Sequence, residues 1–384
     1  MKRDVAFVSY VQYPSFVGLS YRLKGISNAL SKQTVRCEIV CPSDSRCPSP
    51  ERIGDVFIRG VRIPHSLIGR EKAFGLRFLG MILFWIKAIP ILVGTVIKNH
   101  TIIFEQSFTL PLIMFTRLIS RRKCIVDDLI ITQVDKQGVL RFVWSLIDLM
   151  TLACTQKIIT ASPITQSFIE SRRIQKPMLF LPNGCTPIEG RNRLQSDDES
   201  SNKKAVLVGS LSFDQNLVAI QHAIKLSRRI EQKVSGFEID IIGGPKEKLK
   251  EIHGGTNRIP VILNFLGFLS EDELHNAYLK AQIGLLPFFN DTPLVGGSRT
   301  KALEYFAYGL LVISGEEGIG GLPGIIPGVH YIIANNIDSF SEKLMNAISN
   351  PDHFEDIRLS AYEMVKSKYA WNKLVLSLLE FLDK

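Results

Sequence analysis

The sequence of 384 residues predicts an α/β chain made of two doubly wound parallel sheets in tandem. Three observations carry that expectation. Short apolar runs alternate with helical periodicity along nearly the whole chain, which is the mark of repeated βα units. A single polar stretch, TPIEGRNRLQSDDESSNKK from Thr186, interrupts the series. The length also suits two cores, at roughly 100–200 residues per domain. The expected organisation is a first domain over 1–188, a linker over 189–203, a second domain over 204–365 and a terminal helix over 366–384 able to pack back on the first domain.

The elements follow in order. Val5–Tyr10 is a strand-like run, followed by the loop Val11–Gly18 and a helical pattern through Leu19, Leu23, Ile26 and Leu30. Val35–Cys41 reads as the next strand, and Val56–Ile63 alternates as an edge strand does. Thr101–Glu105 is a strand, Leu110–Ser120 a helix and Lys123–Val126 a strand. Residues 137–155 are helical, Lys157–Ala161 is extended, and Ser162 is placed to cap a helix to Ser171 with Pro163 in its first turn. Met178–Leu181 ends at Pro182-Asn183-Gly184, a turn signal. In the second series Ala205–Val208 ends at Gly209, and Ile239–Ile242 ends in Gly243-Gly244-Pro245. Leu263–Leu266, Ile283–Pro287 and Leu311–Ile313 alternate with helices, and Lys366–Lys384 reads as the last helix. No repeat of 20–50 residues is present.

Composition is 46% hydrophobic and 22% charged, close to the globular average, so collagen-like, disordered and disulfide-scaffold classes drop out. The six cysteines are scattered. Cys41 and Cys47 flank a Pro-rich loop, but nothing completes a zinc set, so free thiols, a reducing cytoplasmic setting and no metal are expected. Met1-Lys2-Arg3-Asp4 leads straight into a strand, with no secretory signal expected. Charge is uneven: residues 1–185 hold 25 Lys and Arg against 12 Asp and Glu, a net of +13, and the remainder nets −4. The basic half suits an anionic contact such as lipid phosphates, with a solvated basic surface as the alternative. Arg117, Arg121, Arg122 and Lys123 form its tightest cluster. Phe78–Ile97 has the length of a membrane span, but a central Lys costs about 3 kcal/mol there and Pro90 frees a carbonyl. A helix or broken helix packed in the domain, with one face able to touch a bilayer, is expected rather than a true span.

The densest chemistry lies in LLPFFNDTPLVGGSRTKALEYFAYGLLVIS, Leu285–Ser314. A strand ends at Pro287, Gly296-Gly297-Ser298 forms a loop, and a helix starts near Arg299. Glycine-rich backbone at a helix N-terminus suits phosphate. Arg299 and Lys301 oppose the helix dipole, a placement that an anion would relieve. Glu304, one turn on, can accept hydrogen bonds from sugar hydroxyls. An ordinary βα loop with surface cations is the plainer alternative.

These motifs resemble glycosyltransferase family 4, retaining nucleotide-sugar enzymes with the GT-B fold of two Rossmann-like domains facing across a cleft. VLVGSLSFDQN (Val206–Asn216) is similar to the family's opening strand and Gly-led loop, GGSRTKALEYFAYGLLVIS to its donor motif, and PNG (Pro182–Gly184) to the close of its first domain. The resemblance implies donor contacts from Gly18, Gly209, Ser210, Phe268, Gly297, Ser298, Arg299, Lys301 and Glu304. In it, Glu304 matches the glutamate that bonds the donor ribose, Gly18 faces the diphosphate, and Leu266–Leu269 lies where the base sits.

Three departures stand out. The family's first motif glutamate falls on Gly296. Its two loop cations fall on Ser210 and Gln215, and Arg299 and Lys301 are expected to replace them. Its first-domain histidine has no counterpart between His100 and His222, and none of the histidines shows ligand spacing. Asp128, then Asp127, then Glu105 are the candidates to orient an acceptor hydroxyl or act as base, helix capping being the alternative for the aspartates. The expected activity is sugar transfer from a nucleotide-sugar to a glycan or lipid-linked acceptor with retention, in cell-surface polysaccharide or glycoconjugate synthesis. No cofactor beyond the co-substrate and no nucleic-acid partner is expected, whereas an anionic membrane surface is a candidate partner. A catalytically silent glycosyltransferase-like subunit and a sugar-nucleotide epimerase are the alternatives.

Overall fold

The structure, a computed structural model, describes residues 4–13, 18–44, 52–68, 74–98, 101–120, 123–127, 138–189, 203–211, 213–244, 260–290 and 299–384. They form two compact units. The first takes Met1–Gly184 and Trp371–Lys384, and the second takes Cys185–Leu294 and Ser298–Ala370. The division therefore falls at Gly184 rather than at 188. Ile188 belongs to the second unit, where its amide donates to the Ala307 carbonyl and its own carbonyl accepts from Tyr362 Oη.

The first unit is built on strands β1 (Asp4–Val8), β2 (Arg36–Ser43), β3 (Arg52–Ile53), β4 (Val56–Arg62), β5 (Thr101–Glu105), β6 (Lys123–Asp127), β7 (Lys157–Thr160) and β8 (Met178–Phe180). Their order across the sheet is β3-β4-β2-β1-β5-β6-β7-β8. All neighbours are parallel except β3 and β4. Helices α1 (Gly18–Lys32), α2 (Phe74–Lys98), α3 (Leu110–Ile119), α4 (Gly138–Cys154) and α5 (Pro163–Ser171) connect them. The strands are apolar on both faces because helices cover both. Alternation along β1 shows this directly: Val5 and Phe7 enter one core with Leu23 and Leu30 of α1, whereas Ala6 and Val8 enter another with Phe84 and Leu92 of α2.

Val56–Ile63 is not an edge strand, because the two-residue β3 pairs outside it. Within α2, Met81, Phe84, Ala88, Leu92 and Val96 recur at helical spacing and are buried, so the longest apolar helix has one face in the core of the sheet. Ser162 caps α5 as the sequence predicts, its Oγ accepting from the Ile164 amide at 3.2 Å. Pro182-Asn183-Gly184 is not a turn but runs without regular structure, with the Pro182 carbonyl and Asn183 Oδ1 both accepting from Arg22 Nη1. A side chain at Gly184 would collide with the Trp371 ring at 2.6 Å.

The second unit holds β9 (Lys203–Val208), β10 (Phe237–Ile242), β11 (Leu263–Gly267), β12 (Ile283–Leu286), β13 (Leu311–Ser314) and β14 (Ile332–Ile333). They form a parallel sheet in the order β11-β10-β9-β12-β13-β14. Its helices are α6 (Asp214–Ile230), α7 (Glu271–Lys280), α8 (Thr300–Ala307), α9 (Ile337–Ser349) and α10 (Glu355–Lys368). Of the expected linker 189–203, only Glu189 and Lys203 are described, and Lys203 already opens β9. The expected final helix is two elements: α10 ends at Lys368, and α11 (Trp371–Asp383) starts after Tyr369-Ala370. The break is fixed by backbone pairing, since the Cys185 amide donates to the Tyr369 carbonyl and Cys185 bridges Ala370. From Trp371 the chain rejoins the core of the first unit through Trp371, Leu374, Val375 and Leu378.

Candidate functional site

Strand order in the second sheet reverses between β9 and β12. Doubly wound sheets bind ligands at the carboxyl ends of the strands flanking such a reversal. The β9–β12 ladder is short, joining only Ala205 to Ile283 and Val206 to Gly284. Beyond it the Val208 amide donates to Tyr305 Oη at 2.9 Å. Tyr305 lies so close over β12 that a side chain at Gly284 would meet its ring at 2.3 Å.

Past β9 the chain turns through Gly209-Ser210-Leu211 toward α6. The turn is held by Gly209 N donating to Ile242 O and Leu211 N to Gly244 O, each at 2.8 Å. Gly243 has φ +136°, and a Cβ there would sit 2.0 Å from the Gly209 carbonyl oxygen, so the close approach requires glycine. At Gly209 a Cβ would lie 2.6 Å from Lys301 Nζ and 2.9 Å from Asn216 Cγ. The bare backbone is what admits the ammonium.

Two cations of the α8 start converge on this turn. Lys301 Nζ donates to Asn216 Oδ1 at 2.7 Å, and Arg299 Nη1 donates to Gln215 Oε1 at 3.0 Å. Arg299 Nε donates to the Glu317 carbonyl at 3.1 Å, and both cations stack on the Phe288 ring, at 5.2 and 5.6 Å from its centroid. Arg299 Nη2 is buried with no hydrogen-bond partner among the described residues. A buried charged donor left unpaired is costly, so an acceptor is called for at that atom. Arg299 is also the N-cap of α8, with no side-chain cap and no acid in the first turn. The dipole and both cations therefore present one sign of charge.

Burial lowers the Lys301 ammonium to about 7, with the positive charge of Arg299 adding to the effect and Glu304 opposing it. Burial raises the Glu304 carboxyl to about 7, against the pull of its bond from Tyr278 and the charge of Lys301. Tyr278 Oη donates to Glu304 Oε2 at 2.9 Å. Desolvation also raises the Cys185 thiol, and the charge of Glu304 adds to that shift.

Ser210 and Gln215 stand where the family resemblance puts two cations, and Arg299 bonds Gln215 while Lys301 bonds its neighbour Asn216. The side chains of α8 thus reach the loop from which those charges are missing. Phe268 lies just beyond β11 with its ring against Gly244, 2.6 Å from where a Cβ would be. Gly296, Gly297 and Ser298 lie outside the described residues. Asn216, Tyr278 and Phe288 join the site unforeseen. Asn216 follows the Gly-led loop closely, which was the one available signal.

In the first unit strand order reverses between β1 and β5. Glu105 ends β5, is buried and stands in register with Asp127 at the end of β6. The Asp127 side chain and all of Asp128 lie outside the described residues. Gln106 was not foreseen: it has φ +62°, and its buried Nε2 has no partner among the described residues. Gly18 is the first residue of α1 rather than part of a loop. Of the basic cluster, Arg117 is exposed, whereas Arg121, Arg122 and the Lys123 side chain are outside the described residues. His65 Nδ1 meets Asp44 Oδ2 at 2.8 Å. The five described cysteines are free, Cys47 is not described, and no group of three metal-ligating side chains occurs among the described residues.

Residues 202–350 match the family described as Glycosyl transferases group 1. No curated protein matches by sequence. Among solved structures, sucrose-phosphate synthase from Thermosynechococcus elongatus superposes with TM-score 0.72 at 13% identity, over 100% of this chain and 98% of that one. A UDP-forming trehalose-phosphate synthase from Burkholderia xenovorans gives 0.70 at 15% identity, over 100% and 99%. Anabaena HepE, in complex with UDP and glucose, gives 0.69 at 13% identity, over 99% of each chain. The fold is shared along the full length, and the family match lies on the unit that carries the two cations. The chain has the GT-B fold of these structures, and residues 202–350 of its second unit match the group 1 glycosyltransferase family.

Proposed function

We propose that the chain moves a sugar from a nucleotide-sugar held by its second unit to a hydroxyl of a glycan or lipid-linked acceptor held by its first, with retention at the anomeric carbon. The work is cytoplasmic and serves cell-surface polysaccharide or glycoconjugate synthesis. The observation that carries the reading is Arg299 Nη2, a buried donor without a partner among the described residues, beside a desolvated Lys301 at the start of α8. Breaking the anomeric carbon–oxygen bond of the donor leaves charge on a diphosphate, and fixed donors aimed at that charge stabilise the transition state most. The acceptor oxygen forms the new bond on the same face, and its proton passes to the departing phosphate oxygen. Glu304 accepts from a donor hydroxyl, the role that the family resemblance implies. In the first unit Asp128, Asp127 and Glu105 are the candidates to orient the acceptor. UDP in HepE and UDP formation by the trehalose-phosphate synthase make uridine diphosphate sugars the first donors to try.

The test is slow donor hydrolysis across a panel of nucleotide-sugars. One donor should be cleaved by the native chain and not by Glu304→Ala. No cleavage of any donor, together with no nucleoside diphosphate binding, would favour the silent subunit.

A further inference from the structure

One face of the first unit is apolar on its outside as well as its inside. α2 packs against α3, and α3 against α4, so the three helices lie side by side over the sheet. Outward from them project Leu79 and Ile86 of α2, Met114 and Leu118 of α3, and Phe142 and Leu146 of α4. Leu118 is 85% exposed, Phe142 71% and Ile86 61%. Helices that face water carry polar residues on that side, and apolar patches spanning several elements mark interaction surfaces.

The charges on these helices select the partner. Arg77 and Arg117 are exposed, Lys87 donates its Nζ to the Arg62 carbonyl at 3.0 Å, and Asp148, the one acidic residue in all three helices, is buried. Two copies of this chain meeting through the face would bring cations together with no exposed acid among the described residues of the three helices to meet them. Apolar side chains with cations beside them complement a lipid surface bearing phosphates. We propose that the outer face of α2, α3 and α4 docks on an anionic bilayer, its apolar side chains entering the headgroup boundary and Arg77 and Arg117 meeting lipid phosphates. The inference does not depend on sugar transfer, and its test reads no catalysis.

The full chain is floated with vesicles of phosphatidylcholine alone or with added phosphatidylglycerol. It should rise with the anionic vesicles, less so as salt is added, and stay down with the neutral ones. Leu118→Glu with Phe142→Glu should abolish flotation, and Arg117→Gln should lower the partition coefficient by roughly fivefold. If the double variant does not melt as a folded protein, Arg117→Gln and Ile86→Asn carry the test. Three results overturn the proposal: no flotation of the native chain, flotation unchanged in every variant, or a vesicle-free dimer that Leu118→Glu converts to monomer.

Discussion

Helix α6 of the second unit and helix α2 of the first follow one rule inward and opposite rules outward. In the second unit α6 buries Ala219, Ile220, Ala223 and Ile230 while exposing Asp214, Gln221, Lys225, Arg228 and Arg229. In the first, α2 buries an equally regular stripe yet exposes Leu79 and Ile86. The inward side is set by the sheet it covers and is much the same in both units. The outward side is free of that constraint, so it records what each unit meets. Water faces α6, whereas the exterior of α2 is fitted for something less polar.

The largest effect that can break this contrast is on the buried side. Phe84→Ala removes a fully buried ring from the core beneath α2 and should cost about 3–5 kcal/mol in denaturant unfolding. A much smaller loss would mean that α2 is not anchored in the sheet. Next comes the polar site of the other unit. Arg299→Gln should lower kcat/KM for the donor by roughly 100-fold, since a charged hydrogen-bond donor to phosphate contributes about 1.5–3 kcal/mol. Melting temperature should change little beside that loss.

The third effect is a pH dependence confined to the second unit. Below about 7 Lys301 is an ammonium and Glu304 an uncharged acid, and above it they become an amine and a carboxylate. The pair therefore passes from +1 to −1 as pH rises, and nucleoside diphosphate affinity should fall, by about tenfold between pH 7 and 8. Calorimetric titration across that range checks it, and Lys301→Gln should flatten the slope. The smallest effect is on the outer face: Leu118→Glu should move unfolding free energy by no more than about 0.5 kcal/mol, because its side chain already faces outward. A core-sized loss there would erase the distinction between the two exteriors.

What the sequence made legible divides along similar lines. Thr101–Glu105 and Leu311–Ile313 are legible because buried parallel strands read as apolar runs. The Ser162 cap was readable because capping is local. The two-residue β3 and β14 are too short to leave a pattern, and without β3 the run Val56–Ile63 reads as an edge strand. No Gly or Pro marks the break at Tyr369-Ala370, which is set by a backbone partner at Cys185. At the site, Arg299 and Lys301 were legible as cations against a helix dipole, but their bonds to Gln215 and Asn216 span more than 80 residues. Such pairings follow from topology, and no local spacing encodes them.

The return of α11 to the first unit bears on how the chain is made. The second unit is an insertion within the first, running from Cys185 to Ala370 between two crossings that a β-bridge holds together. Emerging from the ribosome in order, the inserted unit has all its strands before the host unit has its last helix. A chain stopped short of Trp371 would release a finished second unit on a host unit still lacking Leu374, Val375 and Leu378, with sticky core surface open to solvent.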